Sequence, residues 1–100
     1  MKKQKKKQFI VRSQNAGVFA GEIVSRKGSE VVMKNARRIW YWSGASSLSE
    51  LAIKGTANSA SCKFPIAVPS IIIFGVVEII EMSKVAINSI NSVPEWKQHN

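Results

Sequence analysis

Three apolar side chains, aromatic or β-branched, precede two polar ones in Phe9-Ile10-Val11-Arg12-Ser13, a composition that predicts a first strand. Gln14-Asn15-Ala16-Gly17 supplies turn formers. Residues 18–25 then resume strand character, with Gly21 as a candidate bulge. Arg26-Lys27-Gly28-Ser29 predicts the next turn, residues 30–34 pair back as a hairpin, and residues 37–42 continue extended after a kink near Asn35-Ala36. The first half of the chain therefore reads as an antiparallel meander.

The second half changes period. Ser47-Leu48-Ser49-Glu50 matches a capping box, in which the serine accepts from the amide three residues on while the glutamate returns to the cap amide. Leu48, Leu51 and Ala52 share one helical face, and Gly55 is placed to close the helix. Residues 56–63 form a polar loop, and Pro65 and Pro69 bracket an irregular extended piece. Residues 70–81 hold the most apolar run; β-branched residues and lost alternation predict a single strand through the sheet centre, buried on both faces, with a helix as the other reading. Ser83 can cap a last helix through Ile90, with Val85, Ile87 and Ile90 apolar, before Pro94. The expected class is α+β: a small antiparallel β-sheet or partly closed barrel with one or two short helices. One compact domain spans residues 9–96, between a disordered lysine-rich tail at 1–8 and a frayed end at 97–100.

A chain of 100 residues buries only about 60–70% of its unfolded surface. Such a small core favours self-association, as a dimer or tetramer. The net charge of +9 overstates the basicity of the body, because five of the fifteen basic residues are Lys2, Lys3, Lys5, Lys6 and Lys7. The rest holds ten basic against six acidic residues, a balance of +4. A lysine run without apolar interleaving reads as a solvated arm that adds salt-sensitive attraction to polyanions. The lysines lead into a strand and not a long apolar segment, so no secretory signal is read. The apolar run is too short for a membrane helix of about 20 residues, and no membrane partner is expected. One cysteine, Cys62, excludes an internal disulfide framework and fits a reducing cytoplasm.

Chemistry concentrates in Lys34-Asn35-Ala36-Arg37-Arg38-Ile39-Trp40-Tyr41-Trp42-Ser43-Gly44-Ala45, which unites two arginines, a lysine and three consecutive aromatics with a small polar turn. Guanidinium groups suit phosphate, aromatic faces stack on nucleobases, and a Ser-Gly turn can aim backbone N–H groups at an anion. The bland reading makes one face of this strand core: Arg37 with Ile39 and Tyr41 on one side, Arg38 with Trp40 and Trp42 on the other. Arg12, Asn15 and Arg37 could converge at one sheet end, and Lys63 is a further cation. The candidate ligand-binding set is Arg12, Asn15, Arg37, Arg38, Trp40, Tyr41, Trp42, Ser43, Gly44 and Lys63. Gly17 and Gly21 lack the order of a phosphate-binding fingerprint. There is no Asp, and His99 and Cys62 are single. No Ser-His-Asp triad or zinc set can be assembled, so neither catalysis nor a metal or other cofactor is expected. Glu78 and Glu81 read as strand-edge charges.

The stretches at 15–21, 35–45 and 47–52, with Cys62-Lys63-Phe64-Pro65 and Ser92-Val93-Pro94-Glu95-Trp96, resemble a widespread family of small bacteriophage proteins carrying a domain of unknown function. The resemblance runs from Phe9 to Trp96 and leaves the lysine tail outside. It implies phage sponge proteins that sequester cyclic oligonucleotide signals of bacterial antiphage defence. Such a protein would hold a cyclic di- or trinucleotide without hydrolysis, in the cytoplasm of the infected host, in a homo-oligomer with pockets between subunits. Two other readings stay open: a phage protein that binds a host or virion protein through its Trp/Arg patch, and a module for single-stranded nucleic acid.

Overall fold

A computed structural model describes residues 7–98; the expectations for residues 1–6 and 99–100 lie outside the described residues. The elements follow as β1 (Phe9–Ser13), β2 (Gly17–Lys27), β3 (Glu30–Arg38), α1 (Leu48–Lys54), β4 (Val68–Ile73), β5 (Val76–Glu81) and α2 (Lys84–Asn91), with a 3-10 turn at Ser59–Ser61. The five strands lie in the order β4-β3-β2-β1-β5, every ladder antiparallel, with β4 and β5 as open edges. This is the expected α+β class. Main-chain contact starts one residue earlier than expected, since Met82 N donates to Gln8 O at 2.9 Å.

The sheet folds over along one crease. The first half of β2 pairs with β1, from Gly17 opposite Ser13 to Gly21 opposite Phe9. Its second half pairs with the start of β3, from Glu22 opposite Lys34 to Lys27 opposite Glu30. Between these halves the β2–β3 register slips at Gly21, and Asn35 across from it takes a φ of 51°. A Cβ on Gly21 would stand 2.8 Å from Ala36 Cα. The bulge and the kink read from the sequence are thus two sides of one bend, and the missing side chain lets the strands close there.

The bend creates two cores. Inside the fold, Val11 and Phe19 of one half pack with Val31, Met33 and Ile73 of the other. On the opposite face, Ile10, Ala20 and Ile39 receive Leu51 and Ala52 of α1 and Ala86 and Ile90 of α2. β1 is therefore the strand covered on both faces, with Ile10 and Val11 both at 0% exposure.

That corrects the expectation for residues 70–81. This run is not one central strand but two strands at opposite edges of the sheet, β4 and β5, broken at Phe74-Gly75. Two residues suffice to pass from edge to edge because folding over brings the edges together. Gly75 makes the corner at a φ of 69°, and its carbonyl accepts from Gln14 N at 2.9 Å. Ile72, Phe74 and Val77 are more than half exposed, so the loss of alternation comes from edge exposure and not from double burial.

Local signals set both helices. Ser47 Oγ accepts from Glu50 N at 3.1 Å, and Glu50 returns to Ser46 N at 2.6 Å, one residue before the cap amide. Gly55 closes α1 as expected. Ser83 Oγ accepts from Ala86 N at 3.0 Å and starts α2. The buried residues of α2 are Ala86 and Ile90, while Val85, expected on the apolar face, is exposed. No helix among the described residues is long and apolar enough to cross a membrane.

Candidate functional site

At the end of β3, the two-residue period of a strand sends the neighbouring arginines to opposite faces. Arg37 lies opposite Ala20, on the helix side. Its Nε donates to Pro65 O (3.2 Å), Nη1 to Ile90 O (3.0 Å) and Val93 O (2.8 Å), and Nη2 to Phe64 O (2.7 Å) and Pro94 O (3.3 Å). A guanidinium has five N–H donors, and all are spent on main-chain carbonyls. Burial lowers the Arg37 pKa, with the attraction of Glu95 acting against it. The group is a clamp that joins the end of α2 to residues 64–65 and 93–94, with its charge placed where a helix C-terminus favours a cation.

Arg38 lies opposite Phe19, and its guanidinium carbon sits 4.4 Å from the centroid of that ring. Nη1 donates to Ala16 O at 2.5 Å, and the other donors have no partner among the described residues. The expected convergence of Arg12, Asn15 and Arg37 does not form. Arg12 Nε is paired with Glu78 Oε1 at 2.9 Å, Arg37 is committed beneath α2, and Asn15 is exposed in its turn. The arginine that reaches the 14–17 turn is Arg38.

The aromatic segment does not continue the strand, as the sequence led us to expect. β3 ends at Arg38, and Ile39 is buried on the helix side, its N–H donating to Val18 O at 2.8 Å. Next, Trp40 N and Tyr41 N both donate to Lys63 O, at 3.0 and 3.3 Å, while Lys63 N returns to Tyr41 O at 2.8 Å. Two residues opposite one make a β-bulge, which breaks the alternation. Both rings are left outside, Trp40 64% and Tyr41 51% exposed. Trp42 turns back half-buried against the helix-side core, its Nε1 donating to Ala45 O at 3.2 Å. The two face sets read from strict alternation, Ile39 with Tyr41 and Trp40 with Trp42, are therefore both split.

Lys63 brings in an aromatic outside the sequence-derived set. Its Nζ lies 5.5 Å from the Trp96 ring, while Phe64 bridges Glu95 in parallel and Trp96 N donates to Phe64 O at 3.0 Å. Tyr41 and Lys63 are bridge partners, so they share a face. Tyr41, Lys63 and Trp96 thus lie along one surface, and the exposed Trp40 adjoins it through its N–H bond to Lys63 O. Only the position of Trp96 in the closing Ser92-Val93-Pro94-Glu95-Trp96 pattern marked it in the sequence; no local periodicity ties it to Lys63.

Ser43 and Gly44 are taken up internally. Thr56 Oγ1 donates to Ser43 O, Asn58 Nδ2 to Ser43 Oγ at 3.3 Å, and Ala57 N to Gly44 O at 3.2 Å. Ser43 N points to Cys62 Sγ at 3.5 Å. A Cβ on Gly44, whose φ is 86°, would come within 2.5 Å of Asn58 N. The turn is a packed corner, and its serine amide faces a sulfur instead of an incoming anion.

No curated protein and no solved structure matches the chain. Residues 6–90, which include Arg38, Trp40, Tyr41 and Lys63 but not Trp96, match a domain of unknown function, DUF6948, and the chain belongs to that family.

Proposed function

We propose that the chain captures a cyclic oligonucleotide and holds it uncleaved, as a phage protein that withholds the signal of bacterial antiphage defence inside the infected cell. The observation that carries this reading is the bulge opposite Lys63, which leaves the Trp40 and Tyr41 rings in solvent at the residue whose ammonium lies 5.5 Å from the Trp96 ring. Packing gains little from rings so placed. Each base stacked on such a ring is worth about 1–3 kcal/mol. Arg38 and Lys63 are the cations for phosphate, whereas Arg37 has no free donor. With no Asp in the chain and a single histidine at position 99, retention is chemically simpler than hydrolysis. A ligand of twofold shape also suits a self-associated protein.

The test is incubation of purified protein with stoichiometric cyclic di- and trinucleotides, release by heating, and mass spectrometry. Intact ligand recovered at one equivalent per site supports capture. Linear product at many turnovers refutes it, and so does an absence of binding across the panel. A second reading, a protein partner, draws on the exposure of Ile66, Ile72 and Phe74 in addition to the aromatics.

A further inference from the structure

A slot of about 210 Å³ opens beside Arg38, walled by Phe19, Ala36, Ile66, Val68 and Ile71. Apart from the guanidinium its lining is apolar, and none of the lining residues is acidic. The Phe19 ring supports the guanidinium at 4.4 Å, and one bond to Ala16 O fixes an edge. An arginine held in this way has lost its rotamer freedom before a ligand arrives, while its remaining donors have no partner among the described residues. Such a group favours a flat π-system against its plane and an anion at its free edge.

Other cavities among the described residues that contain a cation differ, and in one of about 230 Å³ the cation, Lys97, shares the lining with Glu95. One of about 420 Å³ is lined by Arg37, whose donors are all engaged. Another of the same size, at the start of α2, is lined by Lys7 together with Glu81, and these two charges lie 3.9 Å apart.

We propose that the Arg38 slot seats one nucleobase of the captured ligand, stacked against the guanidinium, with a phosphate of the same ligand at its free edge. In naming the ligand this rests on the capture reading. Pockets that enclose a whole drug-sized molecule measure about 300–1,000 Å³, so this slot admits one ring system and leaves the rest at the rim. Trp40, two residues along the chain from Arg38 and 64% exposed, is the aromatic available for a second base. One subunit then grips the ligand at two points with different chemistry: an apolar slot beside an arginine, and an open stack on tryptophan.

The experiment uses the full chain, wild type and three variants. Arg38→Lys keeps the charge and loses the plane, Val68→Phe fills the slot from the edge strand, and Trp40→Ala removes the outer stack. Titration calorimetry with cyclic di-AMP and cyclic di-GMP is paired with melting temperatures and with methyl NMR of Ile66, Val68 and Ile71. Arg38→Lys and Val68→Phe should each weaken binding tenfold or more at an unchanged melting temperature. If both bind as wild type while Trp40→Ala does not, the slot is overturned and capture stands. If the wild type binds neither cyclic dinucleotide, AMP and GMP at millimolar concentration decide the slot separately. Shifts of the Ile66 and Ile71 methyl signals in the wild type that are lost in Val68→Phe support it, and unmoved signals in the wild type overturn it.

Discussion

Replacing Arg37 should unfold the protein's C-terminal layer before it affects any ligand. Arg37→Met keeps most of the aliphatic stem and removes all five donors, which leaves the carbonyls of Phe64, Pro65, Ile90, Val93 and Pro94 without the guanidinium. Hydrogen bonds to a charged group are worth about 1.5–3 kcal/mol each. Five such values do not add here, because the arginine is only part-buried and water can replace it at the outer carbonyls, as at Pro94. The loss expected for breaking a buried charged network, about 3–5 kcal/mol, is therefore an upper bracket, and about 3 kcal/mol is the expected cost. In a domain of this size that lowers the melting temperature by roughly 12–24 °C. Urea unfolding followed by tryptophan fluorescence reads it, because Trp42 packs on the helix-side core and Trp96 follows the clamped segment at 93–94. Arg37→Lys should recover only part of the loss, since one ammonium cannot reach carbonyls on both sides of the fork. A change below about 1 kcal/mol, which is within reach of an ordinary surface substitution, would refute the clamp. So would normal stability combined with lost ligand binding.

Four further outcomes follow from the same geometry. Trp40→Ala should leave stability within about 0.5 kcal/mol, whereas Trp42→Ala should cost about 1–3 kcal/mol because that ring is half-buried; chemical denaturation of the pair separates the outer ring from the packed one. Gly44→Ala should destabilise by more than about 1 kcal/mol, since its positive φ and the amide 2.5 Å from the added Cβ act together, and an unchanged unfolding midpoint would contradict this. Glu50 has its pKa lowered, chiefly by the amide of Ser46. Its carboxylate is favoured in the folded state, so its contribution is present above about pH 4.3 and fades as pH falls through the lower folded value; Glu50→Gln should flatten the melting curve's pH dependence in that acid window, and a parallel curve would refute the assignment. Light scattering at micromolar concentration should give a dimer or tetramer that Phe74→Ser weakens, Phe74 being the most exposed apolar residue at the corner of the two edge strands, and a single-chain mass for the wild type would remove any pocket shared between subunits.

Features decided within a few residues were legible in the sequence. Ser47 and Ser83 cap helices because their hydroxyls reach amides three positions on, and Gly21 is a bulge because strand β3 comes too close for a side chain. The break at Phe74-Gly75 was not legible. An apolar run with one glycine looks the same whether the chain passes straight through a sheet or turns between its edges, and only the folding-over at Gly21 makes the second path short. The aromatic segment misled for a related reason. Alternation assigns faces only while the ladder continues, and the bulge opposite Lys63 ends it at Trp40.

Arg37 and Arg38 show how one residue of offset divides a saturated guanidinium from one with open donors. They have the same side chain and adjacent positions, and composition treats them alike. The strand's pleat sends Arg37 toward five carbonyls at the end of α2 and Arg38 toward a phenyl ring and a single carbonyl. Where the acceptors saturate the donors, the charge becomes part of the scaffold, and the ring at position 64 only packs beside it. Where the support is an aromatic face, the guanidinium is held in place yet keeps most of its donors. The arginine with donors to spare is thus the one with fewer bonds, and in this chain it is the one that lines the apolar slot at Ile66, Val68 and Ile71.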